Sequence, residues 1–145
     1  MNRLSELKEN RKLDNKGFSL VELIIVIAIM AVLIGVLAPQ YLKYVDRSRE
    51  SADADQIDKL ISAVEIYSAA NGVVSGYISI KEDGKVELSP SVETALADAG
   101  IKVDTTKSLM TSKTFKQACT INFDTDGVTI NVEEIANVLG REYKP

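Results

Sequence analysis

The chain has 145 residues, no histidine, a single cysteine and a formal net charge of −4. The missing histidine removes the commonest acid-base side chain and metal ligand, and a lone Cys119 excludes an internal disulfide. Net acidity argues against a nucleic-acid surface, which needs a basic face.

Charge is unevenly distributed. The first seventeen residues carry Arg3, Lys8, Arg11, Lys12 and Lys16 against Glu6, Glu9 and Asp14, a local +2, which leaves −6 for the remainder. A basic start, an apolar run and an acidic remainder is the charge order of a membrane protein whose N-terminus stays in the cytoplasm. From Phe18 to Ala38 the only charged residue is Glu22. About 20 apolar residues at a rise of ~1.5 Å each match a hydrocarbon core about 30 Å thick.

Pro39 interrupts that run, and a different pattern follows. Ile57, Leu60, Ile61 and Val64 are spaced i, i+3, i+4, i+7, one face of a helix. The charges among and before them, from Lys43 to Lys59, read as its solvated face. Asn71-Gly72 is a helix stop. Residues 19–70 are therefore expected to form one helix of roughly 75–80 Å, bent at Pro39. Tyr41 and Tyr44 fall where it would leave a membrane and fit an interfacial aromatic belt.

A lone helix of this kind is marginal in water, so its amphipathic half needs a cover. Residues 73–145 supply the candidates. Tyr77–Ile80 and Lys85–Leu88 flank Asp83-Gly84, a strong hairpin signal. Ser89-Pro90 opens a helix that Gly100 closes. Gln117–Phe123 and Val128–Val132 alternate across Asp124-Thr125-Asp126-Gly127, a second hairpin. Asp124 and Asp126 resemble a fragment of a calcium loop, but the glycine comes too early and no closing glutamate follows, so a turn is the expected reading. Glu133–Leu139 reads as a short helix ending at Gly140. Cys119 reads as a small buried hydrophobe. The predicted fold is α+β, a long N-terminal helix packed on a small antiparallel sheet. The predicted divisions are a leader at 1–17, a membrane half of the helix at 18–40 and an extracellular domain at 41–145.

The junction Lys16-Gly17-Phe18-Ser19-Leu20-Val21-Glu22 carries the functional signal. Glycine before a scissile bond offers a protease minimal steric demand. A carboxylate inside a spanning helix costs roughly 2.5–3.5 kcal/mol on insertion scales and usually has a partner. Cleavage after Gly17 would give Phe18 a free α-amine, with a pKa of about 8, one helical turn from Glu22. Against this stands the simpler reading, a glutamate at the membrane edge reaching water by snorkelling.

Residues 16–39 resemble the N-terminus of the type IV pilin and pseudopilin family, precursors with a class III signal peptide. The resemblance implies that Gly17 ends the leader and that Phe18 becomes the mature N-terminus, N-methylated by the same prepilin peptidase. It implies that Glu22 is the assembly glutamate and that Pro39 is the helix bend. It also implies a structural role: a filament subunit serving adhesion or motility, with further copies of the chain, the peptidase and the pilus assembly platform as partners. The precursor would sit in the cytoplasmic membrane and the assembled subunit at the cell surface. No catalytic residue, cofactor, metal or nucleic-acid site is expected. The leader is longer than is typical of Phe-first pilins, and the C-terminal disulfide of many of them is missing. The alternatives are a pseudopilin of a secretion or DNA-uptake system, a signal-anchored membrane protein with an extracellular binding domain, and a secreted protein cut near Val36-Leu37-Ala38.

Overall fold

The computed structural model describes residues 17–145; the predicted leader, including Lys16, otherwise lies outside the described residues. Helix α1 spans Leu20–Asn71. Five strands and two short helices follow: β1 (Gly76–Ile80), β2 (Val86–Leu88), α2 (Pro90–Asp98), β3 (Cys119–Asp124), β4 (Gly127–Ile130), α3 (Glu133–Leu139) and β5 (Glu142–Tyr143). The chain divides into two compact units with the boundary between Tyr41 and Leu42.

In the first unit every described residue is exposed, including Leu23, Ile25, Ile27, Ile29, Leu33 and Leu37. Its helix has a mean hydropathy of 3.1 over its most apolar stretch and is long enough to cross a membrane. Pro39 lies within α1, which continues through it. Having no N–H, Pro39 cannot bond the carbonyl four residues earlier, at Gly35.

In the second unit α1 buries Asp53, Ile57, Leu60, Ile61, Ala63 and Val64. These positions form one stripe of a 3.6-residue period, so the amphipathic reading holds from Ile57 onward. The stripe belongs to the same core as Ile78 and Ile80 of β1, Cys119, Ile121 and Phe123 of β3, and Ile130 of β4. Alternation along β1 and β3 sends these side chains to one face and Tyr77 and Asn122 to the other. Burial pushes the Cys119 thiol up from 9.0 to about 11, as expected for a cysteine used as a hydrophobe.

The sheet order is β2-β1-β3-β4-β5. The first four strands pair antiparallel, with Ile78 opposite both Leu88 and Ile121, and Ile121 opposite Ile130. The predicted all-antiparallel sheet is corrected at its far edge. β5 pairs parallel to β4, through Thr129–Glu142 and Ile130–Tyr143. The reason is the crossover: α3 carries the chain back to the starting end, so the next strand must run in the same direction as β4.

Turn chemistry accounts for the joints. Gly84 has φ +76, and a Cβ there would stand 2.6 Å from the Met110 carbonyl oxygen. That carbonyl cannot move aside, because the Gly84 carbonyl itself accepts Leu109 N–H and Met110 N–H at 2.8 and 3.0 Å. Asp124 Oδ1 accepts Asp126 N–H at 2.8 Å, tightening the β3–β4 turn. α2 begins with Pro90 after Ser89, and Ile101 N–H closes it on the Leu96 carbonyl at 2.8 Å. α3 ends at left-handed Gly140.

The largest departure from expectation is Asp53. A charge between Lys43 and Lys59 is expected on the solvated face, but Asp53 is only 1% exposed. Its carboxylate accepts Thr111 N–H (2.8 Å), Ser112 N–H (2.6 Å) and the Thr111 hydroxyl (3.1 Å). One turn earlier Glu50 accepts the Thr114 hydroxyl at 2.7 Å. A buried carboxylate persists when hydrogen bonds of this kind replace its water. They fasten the long segment between α2 and β3, which has no ladder of its own, to the helix. Position 53 lies four residues before Ile57 and eight before Ile61. The periodicity that identified the core face therefore included it.

Candidate functional site

Gly17, Phe18 and Ser19 precede α1 in non-helical conformation. Phe18 is 90% exposed, and Gly17 has no atom within 4 Å of where a Cβ would stand. The backbone on either side of the junction is open to an approaching group.

Ser19 starts the helix. Its carbonyl accepts Leu23 N–H at 3.1 Å, the first intrahelical bond, and its hydroxyl accepts Val21 N–H at 3.3 Å. In return the Glu22 carboxylate accepts Ser19 N–H at 2.8 Å. This is a variant of the capping box: Glu22 reaches back to the N-cap N–H, while the hydroxyl takes the N–H of the second helical residue rather than the third, so two donors orphaned at a helix start are satisfied. The sequence signal is Ser19-x-x-Glu22 ahead of an apolar run. Reading Glu22 for the α-amine of Phe18 or for water misses this bond to Ser19 N–H. The structure thus gives Glu22 a local partner, in the first turn where the helix dipole favours a negative charge.

From Leu23 to Ala38 nothing charged follows, and every side chain is exposed. The structure brings Gly17, Phe18 and Glu22 to one end of that apolar rod. Pro39 lies at the other end, seventeen residues beyond Glu22.

Comparison with known proteins agrees with this layout. The family model for the prokaryotic N-terminal methylation motif matches residues 12–38. The Clostridium perfringens (strain 13 / Type A) protein named "Prepilin peptidase-dependent protein A" is 32% identical over 107 residues, which is 72% of this chain and 67% of that protein. The aligned length runs well past the motif, into the second unit. No solved structure matches. A long apolar helix start with a methylation motif, leading into a small mixed sheet, is the layout of a pilin-like protein. The chain belongs to the type IV pilin-like family.

Proposed function

We propose that this chain is the subunit of a type IV pilus-like filament serving adhesion or motility. The observation that carries this reading is the exposed apolar helix with one carboxylate at its start, four residues after an open Gly17-Phe18 junction. An apolar rod that the chain does not cover needs lipid before assembly and other copies of itself afterwards. In this reading the precursor spans the cytoplasmic membrane with residues 18–40, its basic leader inside and residues 41–145 outside. Prepilin peptidase, on which the relative's name says that protein depends, cuts after Gly17 and methylates Phe18. The new α-amine then attracts Glu22 of an incoming copy at the assembly platform, and Pro39 allows the helix to bend as copies pack.

The pairing has a physical basis. Inside an apolar bundle a charge left without a partner is heavily penalised. A copy at the wrong axial height leaves two such charges, and a copy at the right height leaves none. The capping box holds Glu22 in the meantime, and Ser19 N–H gives it up to a stronger, charged donor.

Mass spectrometry of assembled material should find an N-terminus at methylated Phe18; an intact Met1 there would overturn the processing. Glu22→Gln keeps an acceptor for the cap but loses the charge, and should be cleaved yet form few filaments. Ser19→Ala loses a cap bond but keeps the charge, and should still assemble. Normal filament yield from Glu22→Gln would show that apolar packing alone sets the register.

A further inference from the structure

Asn71-Gly72 closes α1. Among the described residues Asn71 is the one asparagine with glycine behind it: Asn122 precedes Phe123, and Asn131 and Asn137 each precede a valine. The difference is chemical. Asparagine is a thermolabile residue, and it decays through attack by the backbone nitrogen of the residue that follows. A side chain on that residue crowds the nitrogen, and glycine has none.

Asn71, Gly72 and Val73 are all exposed, and a Cβ at Gly72, where φ is +101, would meet nothing within 4 Å. Water and a new ring both have room there. Two hydrogen bonds keep the reacting groups apart. Gly72 N–H donates to the Ser68 carbonyl at 3.0 Å, and Asn71 Nδ2 donates to the Tyr67 carbonyl at 3.2 Å. A third bond reinforces the first, because Val74 N–H donates to the Ser68 hydroxyl at 3.2 Å. Ser68 thus clamps the chain on both sides of Val73 with its two oxygens. The clamp belongs to the last turn of α1, and helix ends open at little cost. The other asparagines are held differently. Asn122 lies within β3, opposite Tyr77 on one side and Thr129 on the other, and the side-chain oxygen of Asn131 accepts Thr120 N–H at 2.7 Å.

We propose that Asn71-Gly72 is a site of spontaneous deamidation, gated by opening of the Ser68 clamp. Once the last turn opens, the Gly72 nitrogen can reach Asn71 Cγ. It loses its proton to solvent and forms a bond to that carbon. The bond from Cγ to Nδ2 breaks, and the side-chain nitrogen takes a proton from water and leaves as ammonia. Water then opens the imide at either carbonyl, leaving aspartate or isoaspartate at position 71. Water is the only co-reactant. Either product carries a negative charge that the amide lacked, at the end of the helix that the dipole already makes negative, with no basic residue in the last turn. A carboxylate also has no proton to donate to the Tyr67 carbonyl. Both effects loosen the turn, so an aged copy differs from a new one in charge and in local order. None of this depends on filament assembly.

The test incubates the full-length chain in mild detergent at mildly alkaline pH. Each asparagine is followed by peptide mass spectrometry, with fragmentation that separates aspartate from isoaspartate. Asn71 should convert well ahead of Asn122, Asn131 and Asn137, give both products, and convert faster still in concentrated urea. Ser68→Ala removes one oxygen of the clamp. It should speed conversion in the folded chain roughly two- to tenfold, the weight of one hydrogen bond, and change nothing in urea. Ser68→Thr keeps the hydroxyl and should convert at the wild-type rate. Conversion at Asn71 no faster than at Asn131 or Asn137 overturns the site. Equal rates for the wild-type chain folded and in urea, or for folded Ser68→Ala and wild type, overturn the gate. If Ser68→Ala does not fold, the wild-type comparison decides. Asn71→Asp, the direct product, should speed amide exchange at Gly72 and Val74, and unchanged exchange overturns the loosening.

Discussion

Asp53 shows how much one side chain can do for a segment with no regular structure. Leu109 and Met110 hang on the Gly84 carbonyl, and Thr111 and Ser112 hang on Asp53. Met110 and Phe115 are driven fully into the core between and beyond these fastenings. Asp53→Ala would leave the buried Ser112 N–H without an acceptor, at about 1–3 kcal/mol, and would also strip the part-buried Thr111 N–H of its partner. The expected loss of stability is therefore about 2–3 kcal/mol. Asp53→Asn keeps one oxygen and should cost less. Chemical denaturation of the two variants checks the order, and equal, negligible losses would mean the clip is incidental. Residue-level reading of the sequence went wrong here for a physical reason. A charge between other charges on a helix looks solvated, and only the stripe defined by Ile57 and Ile61 shows that position 53 faces inward. The same narrowness hid Ser19, whose use as a cap follows from Glu22 three residues on.

At the scale of elements, α1, both hairpins, α2 and α3 were legible because local chemistry defines each of them. Asp83-Gly84 and Asp126-Gly127 turn the chain, Pro90 and Gly100 bracket α2, and Gly140 closes α3 in left-handed conformation. β5 was not legible. It is two exposed residues, Glu142 and Tyr143, with no alternation to read, and it is a strand only because β4 is beside it. The end of β4 moved for a similar reason: Val132, expected to extend the strand, precedes α3 as its N-cap residue. Gly84 tests the most demanding joint. An alanine there meets a left-handed φ, which costs about 1–3 kcal/mol, and a carbonyl at 2.6 Å. Gly84→Ala should lower the thermal midpoint by several degrees or prevent folding, whereas Gly100→Ala, with nothing within 4 Å, should cost only the strain of its φ. Equal midpoints for the two would show that the turn relaxes freely.

Over the whole molecule, the two units make different demands on solvent. The apolar face of the second is satisfied internally: helix, sheet and loop share one core, and among the described residues no buried side-chain polar atom lacks a partner. A fragment covering Leu42–Pro145 should therefore be soluble, show mixed helix and strand by circular dichroism, and unfold cooperatively. The full chain should need detergent or lipid. A fragment that is unfolded or insoluble would mean that the second unit depends on the first. Membership of the pilin-like family could be read from residues 16–39 alone, since the motif is local in sequence and chemically unusual. The design of the sheet domain could not be, because its binding together rests on contacts between distant residues.

That distance also sets a timetable. Asp53 and Ser112 are 59 residues apart, and Ile57 and Ile61 wait for strands that come later still. A chain made N-terminus first presents the second half of α1 long before its cover exists. At about 5–20 residues per second, the interval is roughly 3–12 s. During that time the half-helix has lost the ribosome's shelter without gaining a fold, and it is most open to proteolysis or to pairing with the wrong neighbour.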